Sequence, residues 1–214
     1  MNVLAELVLT FVVLTNLALL VSSRLAGCIR LIAFQGMVLG LFPLFLPELE
    51  LNLRLLLLCI AVFGLKGLVF PRLLTRSLRA ADVRHEVEPF VGYTTSVVLG
   101  VVMLVISMWL LSNVELSRAD IPPLGFPVAL STVLIGLLLI VGRRKALTQV
   151  VGYLVMENGI YIAGLLLIGE QPLVVELGVL LDVFVAVFVM GIAMFHINQE
   201  FSDIDVHELN RLKG

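Results

Sequence analysis

The chain carries little charge. Asp, Glu, Lys and Arg make up 14% of its 214 residues, against about 25% in average soluble domains. That leaves too few ionic groups to coat a water-facing surface of this size. Cysteine is scarce: Cys28 and Cys59 stand far apart and form no CxxC, so the sequence makes no case for an iron–sulfur or zinc site in this chain. The three histidines, His85, His196 and His207, lack any paired ligand spacing. No GxGxxG, P-loop or nucleophile elbow occurs, which speaks against nucleotide chemistry and acyl transfer. There is no basic tract and no basic–aromatic interleaving, and the net charge is −2, so nucleic acid is not an expected partner. The first apolar segment has no basic leader and no small-residue cleavage site. With Glu6 ahead of its core, it reads as a retained helix rather than a signal peptide.

Apolar residues fill the chain instead. They make up 60% of it, and the mean hydropathy is +1.13. A helix needs roughly 20 apolar residues to cross a bilayer, with a lower limit near 17. Seven runs meet or approach that length, at about 3–21, 29–46, 53–70, 90–111, 125–142, 147–168 and 172–195. The breaks between them carry turn chemistry: SSR at 22–24, PELE at 47–50, IPP at 121–123 and GEQP at 169–172. The expectation is an all-α, polytopic helical bundle. Residues 71–89, PRLLTRSLRAADVRHEVEP, form the one long polar connection between runs. Their spacing predicts a short interfacial helix with Leu73, Leu74 and Leu78 toward lipid and Arg72, Arg76 and Arg79 toward water.

Lys and Arg orient the bundle. One alternate set of loops and tails holds Arg24, Arg30, Arg72, Arg76, Arg79, Arg84, Arg143, Arg144, Lys145, Arg211 and Lys213, eleven in all, and the other holds two, Arg54 and Arg118. The positive-inside rule then places the N-terminus outside and the C-terminus in the cytoplasm.

Three charges fall inside apolar runs. Glu157 and Asp182 each lie about ten residues into their helices, close to 15 Å deep at 1.5 Å per residue. Lys66, in FGLKGLVF, lies nearer the cytoplasmic end of the third run. A central charge costs about 2.5–3.5 kcal/mol and needs a partner, water or neutralisation. Lys66 has two readings, a relay residue or a long stem that snorkels to the interface. The short carboxylates cannot snorkel and point to an ion path. Tyr153 and Tyr161 lie four residues either side of Glu157, on its own face, with Asn158 next to it. Gly178 and Ala186 flank Asp182 in the same way and leave room for a close helix. The two acids are expected to share one proton, or each to find a cation on another subunit. A buried carboxylate that gains and loses a proton is a relay, and no nucleophile or metal cluster accompanies it. Glu6 and Glu176, near the outer surface, read as interfacial carboxylates.

The stretch GRRKALTQVVGYLVMENGIYIAG, with its basic loop Arg143, Arg144 and Lys145 ahead of Glu157, resembles the K subunit of respiratory complex I and the C subunit of Mrp-type antiporters. Those are three-helix proteins with a second acid in the last helix, matched here by Asp182, one methylene shorter than the Glu usual in complex I. End to end, with MENG, VELGVLLD and the ending DVHELNRLKG, the chain resembles the hydrogenase-4 component E family. That resemblance implies three segments: a four-helix membrane extension at 1–124, a K-subunit-like three-helix unit at 125–195 and a cytoplasmic tail at 196–214. It also implies a membrane-arm subunit of a group 4 hydrogenase or formate hydrogenlyase-type complex in a prokaryotic inner membrane, beside antiporter-like subunits and below a cytoplasmic redox arm. Glu157, Asp182 and Lys66 would relay protons or sodium, supported by Tyr153, Asn158, Tyr161 and Gln35. Iron–sulfur clusters and nickel–iron or other redox centres would belong to partner chains, with no cofactor here.

Runs one to three and five to seven share an inferred orientation. In each triplet a helix with one mid-run polar residue, Gln35 or Glu157, precedes one with a buried charge, Lys66 or Asp182, as in a parallel duplication. The polar ending SDIDVHELNRLKG, with Leu209 and Leu212, suits docking on a neighbour. Other readings remain open: a structural subunit with no ion path, a cation/proton antiporter subunit, or a standalone transporter with few residues to line a cavity.

Overall fold

A computed structural model describes residues 3–46, 52–80, 91–112, 122–143 and 146–168. Asp182, Glu176, the expected span at 172–195 and the tail lie outside them. Helix α1 is Val3–Val21 and α2 is Leu25–Leu41, tightened at its end into a 3-10 turn at Phe42–Phe45 that contains Pro43. Helix α3, Leu53–Gly64, runs through a π-helical stretch at Leu65–Val69 directly into α4, Phe70–Ala80. Helices α5, Tyr93–Ser112, α6, Gly125–Gly142, and α7, Ala146–Ile168, complete the set. No strand occurs among the described residues. Six spans among them are long and apolar enough to cross a membrane: Val3–Val21, Leu25–Phe45, Leu55–Arg76, Tyr93–Ser112, Gly125–Gly142 and Leu147–Leu167.

Two sequence expectations need correction. The second helix starts at Leu25, not near residue 29, because the break after α1 is a tight turn: the Gly27 and Cys28 N–H groups both bond back to Arg24 O. Arg30 is therefore an exposed residue on α2 rather than part of a loop. The third span also does not stop at Pro71. A proline inside an α-helix removes one N–H and presses on the carbonyl four residues back. The wider π turn at Leu65–Val69 immediately precedes Pro71 and opens the ladder there, so the helix continues. The helix thus continues to Ala80, and the third candidate span extends to Arg76. Leu74 is fully buried and Leu78 packs on the same cluster, while Arg72 and Arg76 are exposed. The apolar face foreseen for lipid packs on protein.

Small residues set the closest packing. Helices α6 and α7 run antiparallel: Ile140 lies beside Gly152, and Val133 beside Gly159. A Cβ on Gly152 would stand 2.8 Å from Ile140 N, and one on Gly159 would stand 2.7 Å from Ala129 O. Only glycine lets the backbones meet so closely. Arg143, directly after α6, is buried and ties in another helix. Its Nη2 donates to Leu20 O at 3.1 Å, at the C-terminal end of α1, and its guanidinium lies 5.1 Å from the centre of the Tyr93 ring.

Among the described residues the core forms two apolar clusters. One gathers Leu19, Leu20, Cys28, Ile32, Leu74, Leu139, Val151 and their neighbours toward the end that carries Arg24, Arg76 and Arg143. The other gathers Leu9, Val12, Leu39, Phe42, Val128, Ile162 and their neighbours toward the opposite end. Each draws side chains from both sides of residue 124, so the N-terminal helices share a core with α6 and α7. Along α1, α2, α6 and α7 the residues between the clusters are polar: Thr15 and Asn16, Gln35, Ser131 and Thr132, and Glu157 and Asn158.

Candidate functional site

That polar layer holds the charges. Lys66 sits on the π turn near the middle of the Leu55–Arg76 span, because the continued helix carries the span well past it. Its side chain crosses Gly36 of α2, where an added Cβ would come 2.6 Å from Lys66 Cβ. The missing side chain lets the lysine reach α7. There Nζ lies 2.8 Å from Glu157 Oε1, with the two side chains 6% and 4% exposed. The same ammonium donates to Asn158 Oδ1 at 2.9 Å and lies 5.1 Å from the centre of the Tyr161 ring. A snorkelling lysine would have its ammonium in water. This one is bound inside the protein, which rules out the snorkel.

The acceptors continue across the layer. Asn158 Nδ2 donates to Gln35 Oε1 at 3.0 Å. Gln35 Nε2 donates to Asn16 Oδ1 at 2.8 Å and to Thr15 Oγ1 at 2.9 Å. Asn16 Nδ2 donates to Thr132 Oγ1 at 2.8 Å, and Thr132 Oγ1 donates to Val128 O at 2.7 Å. Polar side chains of α1, α2, α6, α7 and the π turn are thereby joined. Two buried atoms beside the ion pair, Glu157 Oε2 and Tyr161 Oη, have no hydrogen-bond partner among the described residues.

The structure brings together five of the seven residues singled out from the sequence: Glu157, Lys66, Asn158, Tyr161 and Gln35. Tyr153, one turn before Glu157, packs against the first apolar cluster. Asp182 is outside the described residues. Glu157 also finds its cation within its own chain, where the sequence pointed to another subunit or a proton shared with Asp182. Sequence reasoning missed Thr15, Asn16 and Thr132. The available signal was a polar residue in the middle of an otherwise apolar run, which α1 and α6 share with α2 and α7. Among the described residues no three His, Cys, Asp or Glu side chains converge as metal ligands.

The site can hold a charge pair away from water. Over 213 residues, 99% of this chain and 97% of the relative, it is 30% identical to an uncharacterised protein of Mycobacterium tuberculosis. Over 161 residues, 75% of this chain and 74% of the relative, it is 30% identical to hydrogenase-4 component E of Escherichia coli and of Shigella flexneri. No family model matches, and no solved structure does.

Proposed function

The chain belongs to the hydrogenase-4 component E family, and from that premise we propose that it is a membrane-arm subunit of a hydrogenase-type complex that moves protons as redox chemistry proceeds in other chains. The carrying observation is the Lys66–Glu157 ion pair, 2.8 Å long and buried in mid-span between two apolar clusters. Charges at that depth are costly and mark ion paths. On the K-subunit-like reading of the sequence around Glu157, Asp182 is a second relay position. The ion is a proton. The Lys66 ammonium already fills the cation position beside Glu157, and both groups exchange protons. The setting is a prokaryotic inner membrane, with the Arg-rich end facing the cytoplasm and a peripheral redox arm. Antiporter-like subunits lie alongside. Iron–sulfur clusters and the hydrogen-converting or related metal centre belong to partners.

The test uses the purified complex in sealed vesicles, with proton uptake and redox turnover recorded together. Glu157→Gln should assemble and turn over with proton uptake per turnover reduced at least several-fold. Undiminished uptake would sink the reading and leave a structural subunit.

A further inference from the structure

The direction of every bond in the polar layer is set by chemistry. The Thr132 hydroxyl donates to Val128 O. A carbonyl only accepts, so that proton is committed and Oγ1 offers a lone pair to α1. Asn16 must meet it with Nδ2, which turns Oδ1 toward α2. Thr15 has likewise committed its proton to the carbonyls of Phe11 and Val12, so its oxygen also accepts. Both acceptors take Gln35 Nε2. Gln35 Oε1 is then left for Asn158 Nδ2, and Asn158 Oδ1 is left facing Lys66 Nζ. Helix carbonyls on α1 and α6 therefore decide how three carboxamides point, the last of them at the lysine.

We propose that Asn16, Gln35 and Thr132 are positioning residues for the ion pair: they lock the Asn158 carboxamide with its oxygen toward Lys66 and so hold the pair as ammonium and carboxylate rather than as neutral amine and acid. An ammonium has only donors and suits a fixed acceptor, whereas a neutral amine also carries a lone pair that seeks a donor. Oriented dipoles act strongly where water is excluded, and chained hydrogen bonds polarise one another. Carboxamides carry no readily released proton, so this chain transmits orientation and not protons. Proton exchange is left to the other side of the pair, where Glu157 Oε2 has no partner among the described residues. The use of this lock in transport rests on the proposed function, but its effect on the charge of the pair does not.

Infrared difference spectra of the purified complex in lipid, at one neutral pH, read that charge directly. The Glu157 bands are identified as those lost in Glu157→Gln. The unsubstituted chain should show ionised carboxylate bands for Glu157. Thr132→Val, close in shape but without a hydroxyl, and Gln35→Leu should each gain a protonated-carboxyl band. Thr132→Ser, which restores the hydroxyl, should show none. Unchanged carboxylate bands in Thr132→Val would overturn the proposal, and that near-isosteric pair decides the matter even where Gln35→Leu fails to assemble. Normal proton uptake by Glu157→Gln would refute the transport reading and leave this result standing by itself.

Discussion

Lys66 and Glu157 are each unaffordable alone at their depth and tolerable together. Truncating one partner of a buried pair leaves an uncompensated charge, at a cost of about 3–5 kcal/mol. Lys66→Leu should therefore lower the thermal midpoint of the purified complex markedly. Adding Glu157→Leu should recover part of the loss, since the stranded carboxylate is gone. A double variant as destabilised as the sum of the singles would show that the two do not interact. Each charge was legible in the sequence because it interrupts an apolar run. Their pairing was not, because it depends on how α2 lets the π turn approach α7 across Gly36. Thr15 and Thr132 were harder to single out, for another reason. Threonine in a membrane helix commonly bonds its own preceding turn, as Thr10 does to Glu6 O and Thr75 does to Pro71 O. Nothing in the sequence separates those local bonds from the ones that anchor a network.

The α6–α7 pair depends on backbone contact. Gly152→Ala would drive a Cβ to 2.8 Å from Ile140 N and 2.9 Å from Gly136 O, and backbone cannot give way as a side-chain tip can. The expected loss is about 1–3 kcal/mol, read as a lower thermal midpoint. Gly142→Ala is the control, because a Cβ there meets nothing within 4 Å. It should stay within about 0.5 kcal/mol of the unsubstituted chain. Because Glu157 and Asn158 lie between Gly152 and Gly159 on α7, Gly152→Ala should also weaken proton uptake. Helix existence was readable here from run length alone. The end of the third span was misread, because a Pro inside an apolar run signals a terminus unless a π turn precedes it, and a π turn leaves no compositional mark.

Across the whole chain, the C-terminal end of α1 and the segment after α6 meet through Arg143 and Leu20, and Leu74 and Leu147 share a cluster there. Among the described residues, Arg24, Arg76 and Arg143 thus lie toward one end of the bundle. The orientation in the cell is open to a labelling test with an impermeant thiol reagent. Ser112→Cys, at the far end of α5, should react from outside, and Ser23→Cys, between α1 and α2, should not. The native Cys28 and Cys59 are buried and should give little background. The reverse pattern would invert the topology.

The two apolar clusters also act as a pair of insulating slabs. Most of a membrane voltage falls across such material, and the ion pair lies about midway through it. Moving one elementary charge through the full field takes about 2.3 kcal/mol per 100 mV, so a proton brought to Glu157 works against roughly half of that, about 1.2 kcal/mol, from one face and is driven by the same amount from the other. That bias corresponds to a roughly sevenfold change in proton occupancy at 100 mV. The site would then respond to voltage as well as to proton concentration. Clamping the vesicle potential with potassium and an ionophore should shift coupled proton uptake at constant pH on both sides.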